Sequence, residues 1–131
     1  MEITIKKTIS KEILGNIFVT ALEGGSNYWY SLGYDAIRKI RKAVPKETNP
    51  YLSVAILDAI LEHNVEVDIH DAEDEEEVLG TITKATMQER LQKLANSEDA
   101  WALNNELECN GDATSSDVVF QYIVLGEVTF G

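Results

Sequence analysis

The chain has 131 residues, is 44% apolar and 26% charged, and carries a formal net charge of −12. That length predicts one domain over 1–131, able to bury roughly two thirds of its unfolded surface without covalent staples. The single cysteine, Cys109, excludes an intrachain disulfide and a cysteine metal cage, while the lack of any long apolar run and of an apolar leader predicts a soluble cytoplasmic protein with no membrane partner.

Residues 2–8 (Glu2, Ile3, Thr4, Ile5, Lys6 onward) alternate with period two and include β-branched residues, which predicts a short strand. Ser10 is a candidate N-cap for a helix carrying Ile13, Leu14, Ile17, Phe18, Ala21 and Leu22 on one face. Gly24-Gly25 should stop it, with glycine free to adopt the left-handed conformation past the last turn. Four aromatics in seven residues follow, from Tyr28 to Tyr34. A helix is expected from Asp35 to Val44, with Ile37, Ile40, Ala43 and Val44 inward and Arg38, Lys39, Arg41 and Lys42 outward. Pro45 ends it, and a strongly apolar helix over Tyr51 to Glu62 should be buried on most sides.

Val65 to His70 and Val78 to Thr83 alternate again, which predicts a β-hairpin with Val65, Val67 and Ile69 inward. Its tip is Asp71-Ala72-Glu73-Asp74-Glu75-Glu76-Glu77. Thr83 is a candidate cap for a helix over Lys84 to Asn96. Another helix is expected from Ser97 to Glu108 through Trp101, Leu103 and Leu107. Thr114, Ser115 or Ser116 should cap a last helix through Val118, Val119, Tyr122 and Ile123, and Gly126 to Gly131 reads as a short closing strand. The predicted class is α+β, with several helices packed on a small antiparallel sheet that includes the acidic-tipped hairpin.

Charge is distributed unevenly along this order. Residues 1–50 carry eight Lys/Arg against five Asp/Glu, a net of +3, whereas residues 51–131 carry three against eighteen, a net of −15. Phosphates would be repelled by the second half, so direct nucleic-acid binding is not expected there. Asp71, Glu73, Asp74, Glu75, Glu76 and Glu77 are the candidate partner-binding residues. They form either a solvated tip that keeps the chain soluble or a dense negative field that mimics phosphates and occupies a basic groove of a partner. Their spacing departs from the EF-hand pattern, and no metal site is predicted. The basic group Arg38, Lys39, Arg41 and Lys42 reads as a wet helix face, or as the counterpart of the acidic hairpin of another copy in a homo-oligomer.

Two segments go beyond periodicity. Ala21-Leu22-Glu23-Gly24-Gly25-Ser26-Asn27-Tyr28-Trp29 is one; Asp117-Val118-Val119-Phe120-Gln121 with Gly126-Glu127-Val128-Thr129-Phe130-Gly131 is the other. Together they resemble a family of small phage- and prophage-encoded proteins to which no activity is assigned, in which an AlEGGxxYW stretch follows the first helix and the chain closes on GEvxYG. Phe130 stands where that pattern has tyrosine. The resemblance covers most of the chain and implies a viral accessory gene acting in an infected bacterial host. By association it implies interference with a host defence system, as anti-CRISPR and similar proteins do.

Glu23, Asn27, Tyr28, Trp29 and Tyr30 form a second candidate binding surface, suited to stacking and hydrogen bonding; the alternative is that Tyr28 and Trp29 plug the core. Catalytic machinery is not expected. Cys109 has acidic neighbours that disfavour a thiolate, and His63 and His70 read as structural. No phosphate loop, His-Glu-x-x-His motif or Ser-His-Asp order is present, and no cofactor is predicted. The expected function is non-enzymatic inhibition of a host defence protein with a basic surface. The alternatives are an oligomeric binder sequestering a nucleotide signal, for which basic residues are scarce, and a regulatory or structural phage component.

Overall fold

A thirteen-residue C-terminal helix, Ala113–Leu125, buries eight of its residues and serves as the axis on which the rest is assembled. In the computed structural model, which describes all 131 residues, the order is α1 (Lys11–Thr20), β1 (Tyr30–Ser31), α2 (Tyr34–Ala43), α3 (Leu52–His63), β2 (Val67–Asp71), β3 (Val78–Ile82), α4 (Lys84–Ala95), α5 (Ala100–Leu107) and α6 (Ala113–Leu125). The chain is 53% helical, and its six helices pack on one three-stranded antiparallel sheet ordered β1-β2-β3. This is the expected α+β architecture. α6 touches α1, α4, α5 and β3. One continuous cluster of 27 buried apolar side chains draws on every helix, so the chain has one core.

Local chemistry explains most boundaries. The Ser10 hydroxyl accepts from the Ile13 N–H and opens α1. Thr83 and Thr86 form a reciprocal capping box at the start of α4. Asn64, at φ 53°, takes the left-handed position that ends α3. The hairpin follows the alternation: Val67 and Ile69 are fully buried, Val65 is half-buried, and Ile69 pairs with Gly80. Gly80 is required because a Cβ there would collide with the Val124 carbonyl of α6. The same close approach brings Arg90 of α4 to the carbonyls of Ile123 and Val124, which it satisfies at the helix end.

Five expectations are corrected. Residues 2–8 form no strand: they pair with no sheet edge of their own chain, and Ile3 and Ile5 stay in solvent. Gly24 and Gly25 do not take a left-handed turn. They lie in one π-turn, Ala21–Gly25, that widens the end of α1, and Gly25 is small because a Cβ would sit 2.8 Å from the Ala113 carbonyl oxygen. Trp101 does not enter the core: α5 spans only Ala100–Leu107 and buries Ala102, Leu103 and Glu106, which leaves the indole exposed. The cap of α6 is Asp112, whose carboxylate accepts from the Ser115 N–H, and Ser115 and Ser116 are buried inside the helix. The C-terminal segment is not a strand; side chains hold it instead.

Candidate functional site

The two motif segments meet in space. The π-turn delivers Ser26, Tyr28 and Trp29 against one face of α6, where Asp117 and Gln121 lie four residues apart and therefore on the same side of the helix. Asp117 Oδ1 accepts from the Ser26 hydroxyl at 2.7 Å and from the Trp29 indole N–H at 2.8 Å. Its Oδ2 accepts from the Tyr28 hydroxyl at 2.6 Å and from Gln121 Nε2 at 3.2 Å. Four neutral donors thus stabilise one carboxylate without a basic partner. Gln121, almost fully buried, works on the other side. Its Oε1 accepts from the backbone N–H groups of Thr129 and Phe130, both at 2.9 Å, and its Nε2 donates to the Phe130 carbonyl at 3.0 Å. One side-chain amide therefore does for the C-terminal segment what a neighbouring strand would do.

Aromatic packing completes the cluster. Phe130 stacks on Trp29 with centroids 5.3 Å apart and planes 7° from parallel. Trp29 also touches Phe120 and Tyr30, and Phe120 meets Phe18 edge to face. Phenylalanine at 130 serves this role because stacking needs the ring and not a hydroxyl. Desolvation first, then the Asp117 carboxylate, pushes the Tyr28 phenol up to about 12; desolvation, then Glu23, raises Tyr30 to about 12 as well. Both phenols stay protonated donors at neutral pH, with Tyr30 donating to the Leu22 carbonyl in the π-turn.

The second candidate surface is therefore divided. Trp29 is core, 2% exposed, and Tyr30 is half-buried, so these two do not form an open stacking platform. Glu23, Asn27 and Tyr28 remain at the surface. Sequence reasoning placed Asp117 and Gln121 only in a motif. Their i, i+4 spacing on an apolar helix was the available signal. Glu106 was missed altogether: it is buried, and its Oε1 accepts from the hydroxyls of Ser115 and Ser116 at 2.8 and 2.7 Å. Gly111 passes so close to that carboxylate that any side chain there would collide with it.

The acidic tip is a built turn. Asp71 N–H donates to the Glu77 carbonyl at 3.0 Å, and the carboxylates of Asp71 and Asp74 accept from the backbone of Glu73 and Glu76. His70 Nδ1 donates to the Glu75 carbonyl at 2.6 Å, and Ala72 N–H reaches the Trp29 carbonyl at 2.9 Å, tying the tip to the aromatic cluster. Glu73, Asp74, Glu75, Glu76 and Glu77 are all exposed. None of the six acids pairs with a cation; the ion pairs of the chain are Lys11 with Asp58 and Glu62, and Arg38 with Asp35. No group of three or more His, Cys, Asp or Glu is arranged to hold a metal. A cleft of about 460 Å3 beside the tip is lined by Tyr34, Lys39, Glu66, Asp68, His70 and Glu75 among others. Its one ammonium stands among carboxylates, so an anionic ligand would be repelled there.

The basic face of α2 is partly committed. Arg41 donates to the carbonyls of Asn49 and Pro50 and pins the loop before α3, and Arg38 pairs with Asp35 and lies over the Tyr34 ring. Lys39 and Lys42 are exposed. Cys109, at φ 60°, is an exposed turn residue, and His63 is an exposed residue at the end of α3. No helix is long and apolar enough to cross a membrane.

The fold and these two features describe a small α+β protein with a pinned C-terminal segment and a preformed acidic turn. No family model, curated protein or solved structure matches the chain.

Proposed function

We propose that the protein acts by binding, with Asp71, Glu73, Asp74, Glu75, Glu76 and Glu77 docking into a basic surface of a partner protein. The observation that carries this is the combination of exposure, absence of paired cations and a fixed turn backbone at the tip. A preformed turn loses little conformational entropy on docking. Its concentrated charge steers encounter with a positive groove and repels wrong partners. The carboxylates and serines of the interior are occupied by mutual hydrogen bonds, which suits a scaffold and not a catalyst.

The resemblance of the two motif segments to phage and prophage proteins supplies the context. On that basis the partner is a host defence protein, the effect is inhibition by blockade of its basic groove, and the site of action is the cytoplasm of an infected bacterium. The decisive experiment is co-purification from a defence-competent bacterium, with partners identified by mass spectrometry. The wild-type chain is compared with a variant in which Glu73, Asp74, Glu75, Glu76 and Glu77 are changed to Gln or Asn. A basic partner captured by wild type, lost from the variant and released by salt is the expected result. A partner retained equally by the neutralised variant, or none captured by either, overturns the proposal.

A further inference from the structure

Two features of this chain lack hydrogen-bond partners, and each has the form the other needs. The first is residues 2–8. Their alternation is that of a strand, yet residues 1–9 make no backbone hydrogen bond, and Ile3 and Ile5 are 80% and 70% exposed. The second is the outer edge of β3. β3 ends the sheet, and its backbone bonds only to β2, so the alternate N–H and C=O groups that face away from β2 have no hydrogen-bond partner. An open strand edge is a template for another strand.

We infer that the N-terminal segment of one copy adds to β3 of a second copy as a fourth, antiparallel strand. Charge decides the direction. β3 begins just after Glu75, Glu76 and Glu77, and ends just before Lys84. Antiparallel addition lays Lys6 and Lys7 toward the glutamates and Glu2 toward Lys84; parallel addition would set Lys6 and Lys7 beside Lys84 and Glu2 beside Glu77. Side-chain alternation then decides the register. Gly80 and Ile82 face the core, and Thr81 faces the other way, where its hydroxyl donates to Asp68. Ile3 opposite Ile82, Thr4 opposite Thr81 and Ile5 opposite Gly80 put both isoleucines on the core face and both threonines on the polar face. Slipping by one residue would reverse both matches. A β-bulge interrupts the β2–β3 ladder at the Ile69/His70 step, so regular pairing stops near Leu79, and beyond it the lysine–glutamate attraction carries the contact.

The occupant is a second copy of this chain, and the contact is independent of the docking of the acidic tip to another protein. Sedimentation and light scattering of the full chain should give a mass of at least two chains at low salt, falling toward one at high salt. Thr4→Pro with Ile5→Pro removes both N–H groups from a segment that is exposed and unbonded, so it should abolish association while leaving the melting temperature of the monomer intact. Lys6→Glu with Lys7→Glu should weaken association, and adding Glu76→Lys with Glu77→Lys should restore it. In a Cys109→Ser background, Thr4→Cys with Thr81→Cys should oxidise to a covalent dimer. A wild-type chain that is monomeric at every concentration overturns the inference. So does association that survives the double proline, or a 4–81 disulfide that forms within one chain.

Discussion

Asp117→Ala tests whether the two motif segments form one structural cluster. The substitution removes the acceptor from four donors. Tyr28 is half exposed and its hydroxyl can turn to water, and Gln121 Nε2 keeps the Phe130 carbonyl. Ser26 and Trp29 have no such recourse, being 0% and 2% exposed. Each buried donor left without an acceptor costs about 1–3 kcal/mol, so the variant should lose about 4 kcal/mol. For a domain of this size that lowers Tm by roughly 10–20 °C. Asp117→Asn should be milder, about 1–2 kcal/mol. Its amide oxygen can still serve Ser26 and Trp29, and its amino group can donate to the Tyr28 oxygen. Urea and thermal unfolding followed by circular dichroism give both values. An alanine variant within about 1 kcal/mol of wild type, or an asparagine variant as damaged as alanine, refutes the energetic role assigned to this carboxylate.

Four further outcomes are expected. Gln121→Ala should free the segment after Gly126, read as faster proteolysis near the C-terminus, because the amide makes the three hydrogen bonds that hold Thr129 and Phe130. Gly80→Ala should cost about 1–3 kcal/mol in urea unfolding, since the new methyl meets backbone of α6 and not a flexible side chain. Stability should fall in alkali: the Tyr28 and Tyr30 phenols are raised from 10.0 to about 12, so their contribution is complete below pH 10 and is lost as pH climbs toward 12, which a spectrophotometric titration against circular dichroism will follow. In acid the sign reverses for Asp112. The Ser115 N–H holds its carboxyl below the usual value of 3.8, so its stabilisation is present above that value and lost as pH falls beneath it, and Asp112→Ala should flatten the acid limb of the Tm profile.

Periodicity located the elements well because burial is what periodicity encodes. The α2 and hairpin residues named as inward are buried or half-buried, and Thr83 caps α4 as its position suggests. Failures fall where a distant segment decides the outcome. The pattern of residues 2–8 is that of a strand, but a strand requires a neighbour, and a single sequence does not reveal whether an edge is free. Gly24-Gly25 carries a helix-termination signal, whereas Gly25 is constrained by Ala113, far away in sequence. Ser115 reads as a candidate cap, but Asp112 holds that position; the Ser115 hydroxyl accepts from the Asp112 N–H and donates to buried Glu106, a tertiary hydrogen bond that a cap signal does not announce. The aromatic segment could be read both ways because it contains both outcomes: Trp29 goes in and Tyr28 stays half out.

The link between the cluster and the acidic tip determines which variants can speak to function. Ala72 N–H donates to the Trp29 carbonyl, and Tyr30 pairs with Asp71 across the sheet, so the turn that presents the glutamates is seated on the segment that carries the indole. Trp29→Phe retains an aromatic ring but loses the donor to Asp117. It should therefore lower Tm and, by loosening the seat of the turn, weaken partner capture at the same time, which would imitate loss of a direct contact. Tyr28→Phe separates the two effects. The ring is at the surface and its backbone is held by neither the tip nor β2, so removing one hydroxyl leaves the turn in place. If Tyr28→Phe and the Trp29 variant reduce capture in proportion to their loss of stability, the cluster acts only by holding the tip. If Tyr28→Phe removes capture at unchanged Tm, then the exposed half of the aromatic segment touches the partner itself, and the binding surface extends from the glutamates onto Asn27 and Tyr28.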